Sequence, residues 1–179
     1  MNYINVDVFG KCGNMTCNKE GGVSSEKCYE MIEKKYKFYL SFENSLCQDY
    51  VTEKLFQVLQ HRIVPVVYGA VNYSLIAPPH SYIDAQKFHG PKQLADYLLF
   101  LDSNEAIYNE YFSWKNHYVI EAGRENMILN AFCKLCKKLH YDKTPKVYSK
   151  IASHWDNDKY CFPHKTLYNY TKKIDNFVQ

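Results

Sequence analysis

Four polar side chains stand close together in one short window of the chain. Asn44 can donate and accept hydrogen bonds, and Tyr50 offers an aromatic ring and a hydroxyl. Glu53 is a carboxylate that could accept hydrogen bonds from two ribose hydroxyls, and Lys54 carries a positive charge suited to a phosphate. Together these are the groups that a sugar nucleotide needs.

A predicted strand and a predicted helix must position these side chains. Residues 36–42 form an aromatic-rich run typical of a strand, residues 43–49 form a polar loop, and an amphipathic pattern predicts a helix over about 50–61. In a parallel α/β sheet such a strand-to-helix loop lies at the carboxyl edge, where ligands bind. The helix start favours phosphate, and Lys54 falls in its first turn.

The same residues also have an ordinary structural interpretation. The helix dipole alone favours a glutamate such as Glu53 in a first turn. Lysine is common on protein surfaces, and Asn44–Ser45 is typical of a turn. Residue types and spacing therefore leave a ligand site and a plain helix start as open alternatives.

The rest of the chain continues the alternation of strands and helices. Further strands are predicted at 3–9, 63–68 and 82–84, with helices beginning near 24–26 and at 91, and over 104–115 and 121–140. This order predicts an α/β fold with a parallel sheet. We expect one domain over residues 1–140 and a polar, loosely packed tail over 141–179.

Composition excludes some functions. The net charge of +3 does not suggest a nucleic-acid partner, and the basic cluster at 134–138 is typical of a solvated helix face. The 17 tyrosines and 10 phenylalanines suit stacking on sugars or a core edge equally well. No run is long and apolar enough for a membrane span, and no signal peptide is evident, so a secreted form would need a targeting segment from elsewhere.

Cysteines and sequons favour an oxidising compartment. The chain has seven cysteines, an odd number, and glycosylation sequons at Asn14, Asn72 and Asn169. The neighbouring cysteines 12, 17 and 28 could form one local disulfide, but the sequence leaves the pairing open.

A metal site is an alternative use of the later cysteines. One set has two cysteines spaced as CxxC and a nearby histidine, followed by a cysteine and a histidine further on: Cys133, Cys136, His140, Cys161 and His164. Four of these could bind zinc in a tetrahedral site, which would make this a zinc-stabilised interaction domain. The CxxC pair could equally be a disulfide or neither.

The candidate window also resembles a known family signature. Residues 42–45 read FENS and residues 49–54 read DYVTEK, which is similar to the signature of the α1,3-fucosyltransferase family. Further segments that resemble the family are 6–13, 64–70, 77–84, 94–98 and 108–115, so the likeness covers about residues 3–140. It is nearest to invertebrate members.

The resemblance implies the C-terminal, GDP-fucose-binding half of a two-domain GT-B glycosyltransferase, with a Rossmann-like sheet flanked by helices. Carried over by position, Glu53 would hold the ribose, Lys54 the pyrophosphate, and Asn44 and Tyr50 would complete the donor pocket. The family inverts the anomeric carbon, transfers fucose to a glycan acceptor in the Golgi lumen, and needs no metal cofactor. Its CxxC pair at this position forms disulfides.

Several family features are absent from this chain. The general base, a further basic residue near the phosphates and the membrane anchor all belong to the family's preceding region, so the catalytic residues are not identified here. The resemblance therefore implies a donor-binding half that is inactive alone. The alternative is a non-catalytic GDP-sugar-binding fragment or truncated paralogue.

Overall fold

The computed structural model describes residues 3–10, 13–17, 19–20, 23–24, 26–154 and 160–162. The strands are β1 (Lys19–Glu20), β2 (Val23–Ser24), β3 (Phe38–Phe42), β4 (Leu46–Cys47), β5 (Val64–Tyr68), β6 (Ile83–Asp84) and β7 (Cys161–Phe162). The α-helices are α1 (Glu26–Glu33), α2 (Glu53–Gln60), α3 (Pro91–Ser103), α4 (Glu105–Glu110) and α5 (Arg124–Tyr141). Short 3-10 turns cover Tyr73–Leu75, Ala85–Lys87, Ser113–Asn116 and Ile151–His154.

A parallel three-stranded sheet forms the centre of the fold, in the order β3-β5-β6. β3 pairs with β5 along its whole length, and Val66 and Val67 pair with Ile83 and Asp84 of β6. Parallel neighbours need a crossover, which α2 supplies between β3 and β5. The predicted α/β class, a Rossmann-like parallel sheet flanked by helices, is confirmed.

β5 is buried on both of its faces, as a central parallel strand should be. Successive side chains point to opposite faces, so Val66 packs in the cluster that contains Leu101 of α3 and Tyr108 of α4. Val67 packs on the other face, with Leu55 of α2. Helices on both sides therefore fix the height at which the carboxyl ends of the strands meet solvent.

The predicted strand at residues 3–9 is wrong. Residues 5–8 have no regular structure, and only Phe9 forms an isolated bridge, with Met15. Gly10, at φ 98°, turns the chain so that its N–H donates to the carbonyl of Met15, 2.8 Å away. The segment binds the domain through side chains instead, with the Tyr36 hydroxyl donating to Asp7 Oδ2 at 2.6 Å.

The helix α5 differs from the others because its apolar side chains are exposed. Five large ones lie on its surface: Ile128, Leu129, Phe132, Leu135 and Leu139. The predicted helix at 121–140 is confirmed in position, but its pattern does not reflect packing within the described part of this chain. No helix among the described residues has the length and apolar character of a membrane span.

Candidate functional site

The candidate window lies at the carboxyl edge of the sheet, as predicted. β3 ends at Phe42 and its parallel neighbour β5 ends at Tyr68, paired with it in register. The Glu43 N–H extends this ladder by donating to the carbonyl of Tyr68 at 3.0 Å. The loop that follows runs over residues 43–52, and we call it the edge loop.

The helix after the edge loop begins at Glu53, three residues later than predicted. Asp49 has a left-handed backbone, at φ 58°, which aspartate tolerates better than most residues. Thr52 is extended, at φ −124° and ψ −173°, and is the N-cap of α2. Residues 50–52 therefore approach the helix without belonging to it, and Lys54 is the second residue of the first turn.

The four predicted site residues all lie on the edge loop or the helix start. Asn44 and Glu53 are exposed, whereas Tyr50 and Lys54 are partly buried. Lys54 Nζ lies 3.9 Å from Glu53 Oε1, so the structure brings these two together. Tyr50 follows a turn in which its N–H donates to the carbonyl of Cys47 at 3.1 Å.

A buried glutamate links the edge loop to the helix start. The Glu43 side chain is only 1% exposed. Its Oε1 accepts a hydrogen bond from the Thr52 N–H, and its Oε2 accepts one from the Thr52 hydroxyl, both at 2.8 Å. Lys54 Nζ lies 3.3 Å from the same Oε2 and 3.1 Å from Thr52 Oγ1. Glu43 thus occupies part of the positive helix start that we predicted for a phosphate.

The sequence analysis assigned no role to Glu43, although it stands in the signature window. Its partner Thr52 is nine residues away across an irregular loop. No helical or strand periodicity relates two residues at that spacing, so only the signature itself drew attention to the position.

A second buried contact attaches α2 to the sheet. The Ser41 hydroxyl of β3 donates to the backbone carbonyl of Lys54 at 3.0 Å, and Ser41 is 1% exposed. Lys54 is therefore tied to the end of β3 through its backbone by Ser41 and through its ammonium by Glu43.

A tyrosine hydroxyl lies beneath the same corner of the sheet. A Cβ added at Gly69 would overlap the Tyr73 hydroxyl and would lie 3.4 Å from Glu43 Cγ, so a glycine allows this close approach. That hydroxyl has no hydrogen-bond partner among the described residues. Burial, followed by the negative charge of Glu43, raises the pKa of Tyr73 well above its usual value. The tyrosine therefore stays neutral beside the carboxylate.

The edge loop is also joined to residues far along the chain. β4, inside the loop, pairs antiparallel with β7, and a disulfide joins Cys47 to Cys161. The Gln48 N–H donates to the carbonyl of Tyr160 at 2.7 Å. Part of the segment predicted as a tail thus contacts the candidate site. The predicted domain boundary at residue 140 stays a prediction.

The remaining cysteines bear on the zinc alternative. Cys17 and Cys28 form the predicted local disulfide. Because Cys161 is bonded to Cys47, it is not a thiolate in the zinc set, and His164 lies outside the described residues. Among the residues that the structure describes, Cys133 and Cys136 are exposed and form no disulfide, and no cluster of three or more metal-ligating side chains occurs. The implied disulfides of the CxxC pair are therefore not seen here.

A parallel α/β domain with a cationic helix start at the carboxyl edge of its sheet has the architecture of a nucleotide-binding domain. The family model for the C-terminal part of glycosyltransferase family 10 (fucosyltransferase) matches residues 1–155. The chain belongs to this family of fucosyltransferases, which confirms the resemblance carried by the signature window.

Named relatives agree with this assignment. Alpha-(1,3)-fucosyltransferase C of Drosophila melanogaster is 40% identical over 158 residues, which cover 87% of this chain and 35% of that protein. Glycoprotein 3-alpha-L-fucosyltransferase A of the same organism is 38% identical, over 89% of this chain and 31% of that protein. Alpha-(1,3)-fucosyltransferase fut-1 of Caenorhabditis elegans is 34% identical, over 86% and 35%. The chain spans about a third of the length of these curated relatives.

Proposed function

We propose that this chain is the donor-binding part of an inverting α1,3-fucosyltransferase that transfers fucose from GDP-fucose to a glycan acceptor. The observation that carries the proposal is the Lys54 ammonium, held at the first turn of α2 at the carboxyl edge of the sheet. In this proposal Lys54 contacts the diphosphate and the adjacent Glu53 accepts hydrogen bonds from the ribose. Asn44 and Tyr50 complete the donor pocket.

The charges at the helix start suit a diphosphate. The first N–H groups of any helix lack intrahelical acceptors, and the helix dipole adds partial positive charge. The Lys54 side chain is 24% exposed, so its stem is covered while its ammonium remains accessible. When the bond to fucose breaks, GDP gains negative charge, and preorganised positive groups stabilise that change.

The remaining parts of the reaction are also proposals. A general base must take the proton from the acceptor hydroxyl as that oxygen attacks the anomeric carbon. We place this base and the acceptor site in the part of such an enzyme that the present chain does not span. We also propose the Golgi lumen as the compartment, and the two disulfides support it because disulfides persist in oxidising surroundings.

Titration of GDP into wild-type protein and Lys54→Ala by calorimetry tests the proposal. A charge-assisted contact contributes about 1.5–3 kcal/mol, so Lys54→Ala should weaken GDP binding roughly ten- to hundredfold. Added salt should shrink the difference, because it screens the partly exposed charge.

Lys92→Ala is the matched control. Lys92 is a lysine near the start of another helix, α3, and pairs with Asp96 at 2.6 Å, but it lies outside the site. It should bind GDP as the wild type does. Equal GDP affinity for wild type and Lys54→Ala, with the fold intact by circular dichroism, would contradict the proposed donor site. Loss of affinity in both lysine variants would indicate a non-specific charge effect and would also contradict it.

A further inference from the structure

The Glu43 carboxylate is a charged group buried where β3 meets the start of α2. Its side chain is 1% exposed, and both of its oxygens accept hydrogen bonds from Thr52. Burying a carboxylate is costly unless donors surround it. An amide or hydroxyl could accept from the Thr52 N–H without that cost, so the helix cap alone does not explain a full negative charge.

The lysine beside it explains the charge. The Lys54 ammonium has three N–H donors, and it lies within hydrogen-bond distance of Glu43 Oε2, at 3.3 Å, and Thr52 Oγ1, at 3.1 Å. Glu53 Oε1, at 3.9 Å, is beyond hydrogen-bond distance. Two of the three donors are therefore used, and one remains for an acceptor outside the protein.

The same contacts order a flexible side chain in advance. A free lysine has four rotatable bonds and loses considerable entropy when a ligand immobilises it. Here Ser41 holds the Lys54 carbonyl at 3.0 Å while Glu43 and Thr52 hold the ammonium. Ordering that occurs on folding does not have to occur again on binding, which raises affinity.

We propose that Glu43 is a positioning residue for the nucleotide site. Through Oε2 it holds the Lys54 ammonium at the first turn of α2, so that the third N–H is presented to the diphosphate. This inference rests on the proposed function, because it assumes that Lys54 meets the phosphates. The opposite effect is also physically reasonable, since a carboxylate near Lys54 repels phosphate, and the two effects predict opposite signs when Glu43 is neutralised.

Glu43→Gln in the full chain separates these effects. Glutamine keeps one oxygen for the Thr52 N–H but places an N–H₂ group where Oε2 faced the Lys54 ammonium, so two donors meet. We expect GDP affinity to fall about tenfold, as for loss of one charge-assisted contact. The ratio of GDP to GMP affinity should fall with it, because the lost contact belongs to the diphosphate.

The double variant Glu43→Gln/Lys54→Ala tests whether Glu43 acts through Lys54. If it does, the double variant should bind GDP no more than about twofold worse than Lys54→Ala, since coupled residues are not additive. Glu33→Gln is the matched control. Glu33 accepts from the Arg62 N–H at 3.1 Å and contacts His61 at the far end of α2. It should lower the melting temperature without changing the GDP to GMP ratio.

Thr52→Val and Thr52→Ser give a second test if Glu43→Gln does not fold. Valine removes the hydroxyl between Glu43 and Lys54 and keeps the shape, so GDP affinity should fall several-fold. Serine keeps the hydroxyl and should restore it. Unchanged or tighter GDP binding in Glu43→Gln, additive losses in the double variant, or Thr52→Ser behaving like Thr52→Val would each overturn the inference. If Lys54→Ala itself binds GDP normally, the proposed function fails instead.

Discussion

Lys54 is the residue on which the candidate site depends, because it joins the sheet edge to the helix start. Its carbonyl accepts from Ser41 and its ammonium contacts Glu43 and Thr52. A lysine on an exposed helix turn would have none of these contacts. The ordinary interpretation, in which Lys54 merely decorates a helix start, therefore explains less of its surroundings than the ligand interpretation does.

Glu53 supports a prediction that concerns the ribose alone. Its side chain is 46% exposed, and its carboxylate could accept from two ribose hydroxyls. Glu53→Gln keeps the shape and one acceptor oxygen, so GDP affinity should fall by less than in Lys54→Ala. A 2′-deoxy GDP should bind the wild type poorly and should discriminate little between wild type and Glu53→Gln. Calorimetric titration of both nucleotides measures these differences.

Two outcomes would contradict the ribose assignment. One is equal affinity of the wild type for GDP and 2′-deoxy GDP. The other is a loss in Glu53→Gln that is the same for both nucleotides, because such a loss would not depend on the 2′-hydroxyl.

Among the structural elements, the edge loop is held at both of its sides. On the helix side Glu43 accepts from Thr52, and on the other side β4 pairs with β7 and Cys47 is bonded to Cys161. A loop that presents binding residues must be ordered before the ligand arrives if it is not to lose affinity. The second attachment comes from residues 160–162, at the far end of the described chain.

Removing that disulfide should therefore affect both stability and binding. The variant Cys47→Ser/Cys161→Ser opens a link with a sequence separation of 114. We expect a loss of about 2–5 kcal/mol in the free energy of unfolding. GDP affinity should fall about three- to tenfold, since ordering the loop on binding costs on the order of 1 kcal/mol. Denaturant unfolding and GDP titration measure the two effects.

The local disulfide provides the comparison for this experiment. Cys17→Ser/Cys28→Ser opens a link with a separation of only 11, outside the edge loop. Its loss of stability should be smaller, and its GDP affinity should match that of the wild type. If both double variants bind GDP as tightly as the wild type, the attachment of the edge loop to residues 160–162 has no role in the site.

In the molecule as a whole, the positive charge proposed for the diphosphate comes from the protein. Lys54 and the start of α2 supply it at the sheet edge. We therefore expect GDP affinity in EDTA to equal that in Mg²⁺ or Mn²⁺ within about threefold at matched ionic strength, a difference below 1 kcal/mol. GDP titrations under these three conditions test this. A gain of more than tenfold on adding either ion would indicate that a bound metal is required.

The sequence by itself determined the class of fold and the place of the site. Periodicity predicted β3, β5, β6, α3 and α5 because each buries, or in α5 exposes, an apolar pattern set by local backbone geometry. The strand-to-helix order placed the window of Lys54 at the carboxyl edge, because parallel strands end on one side. Periodicity failed at residues 3–9, where alternation was present but no neighbouring strand pairs along the segment.

Only the tertiary structure decided how the site is held. The contacts of Glu43 with Thr52 and Lys54, the start of α2 at Glu53, and the pairing of Cys47 with Cys161 all join positions across irregular backbone or across most of the chain. No local propensity encodes them, because each depends on where two separately folded segments meet. The residue types were thus readable from the sequence, whereas their partners required the packed domain.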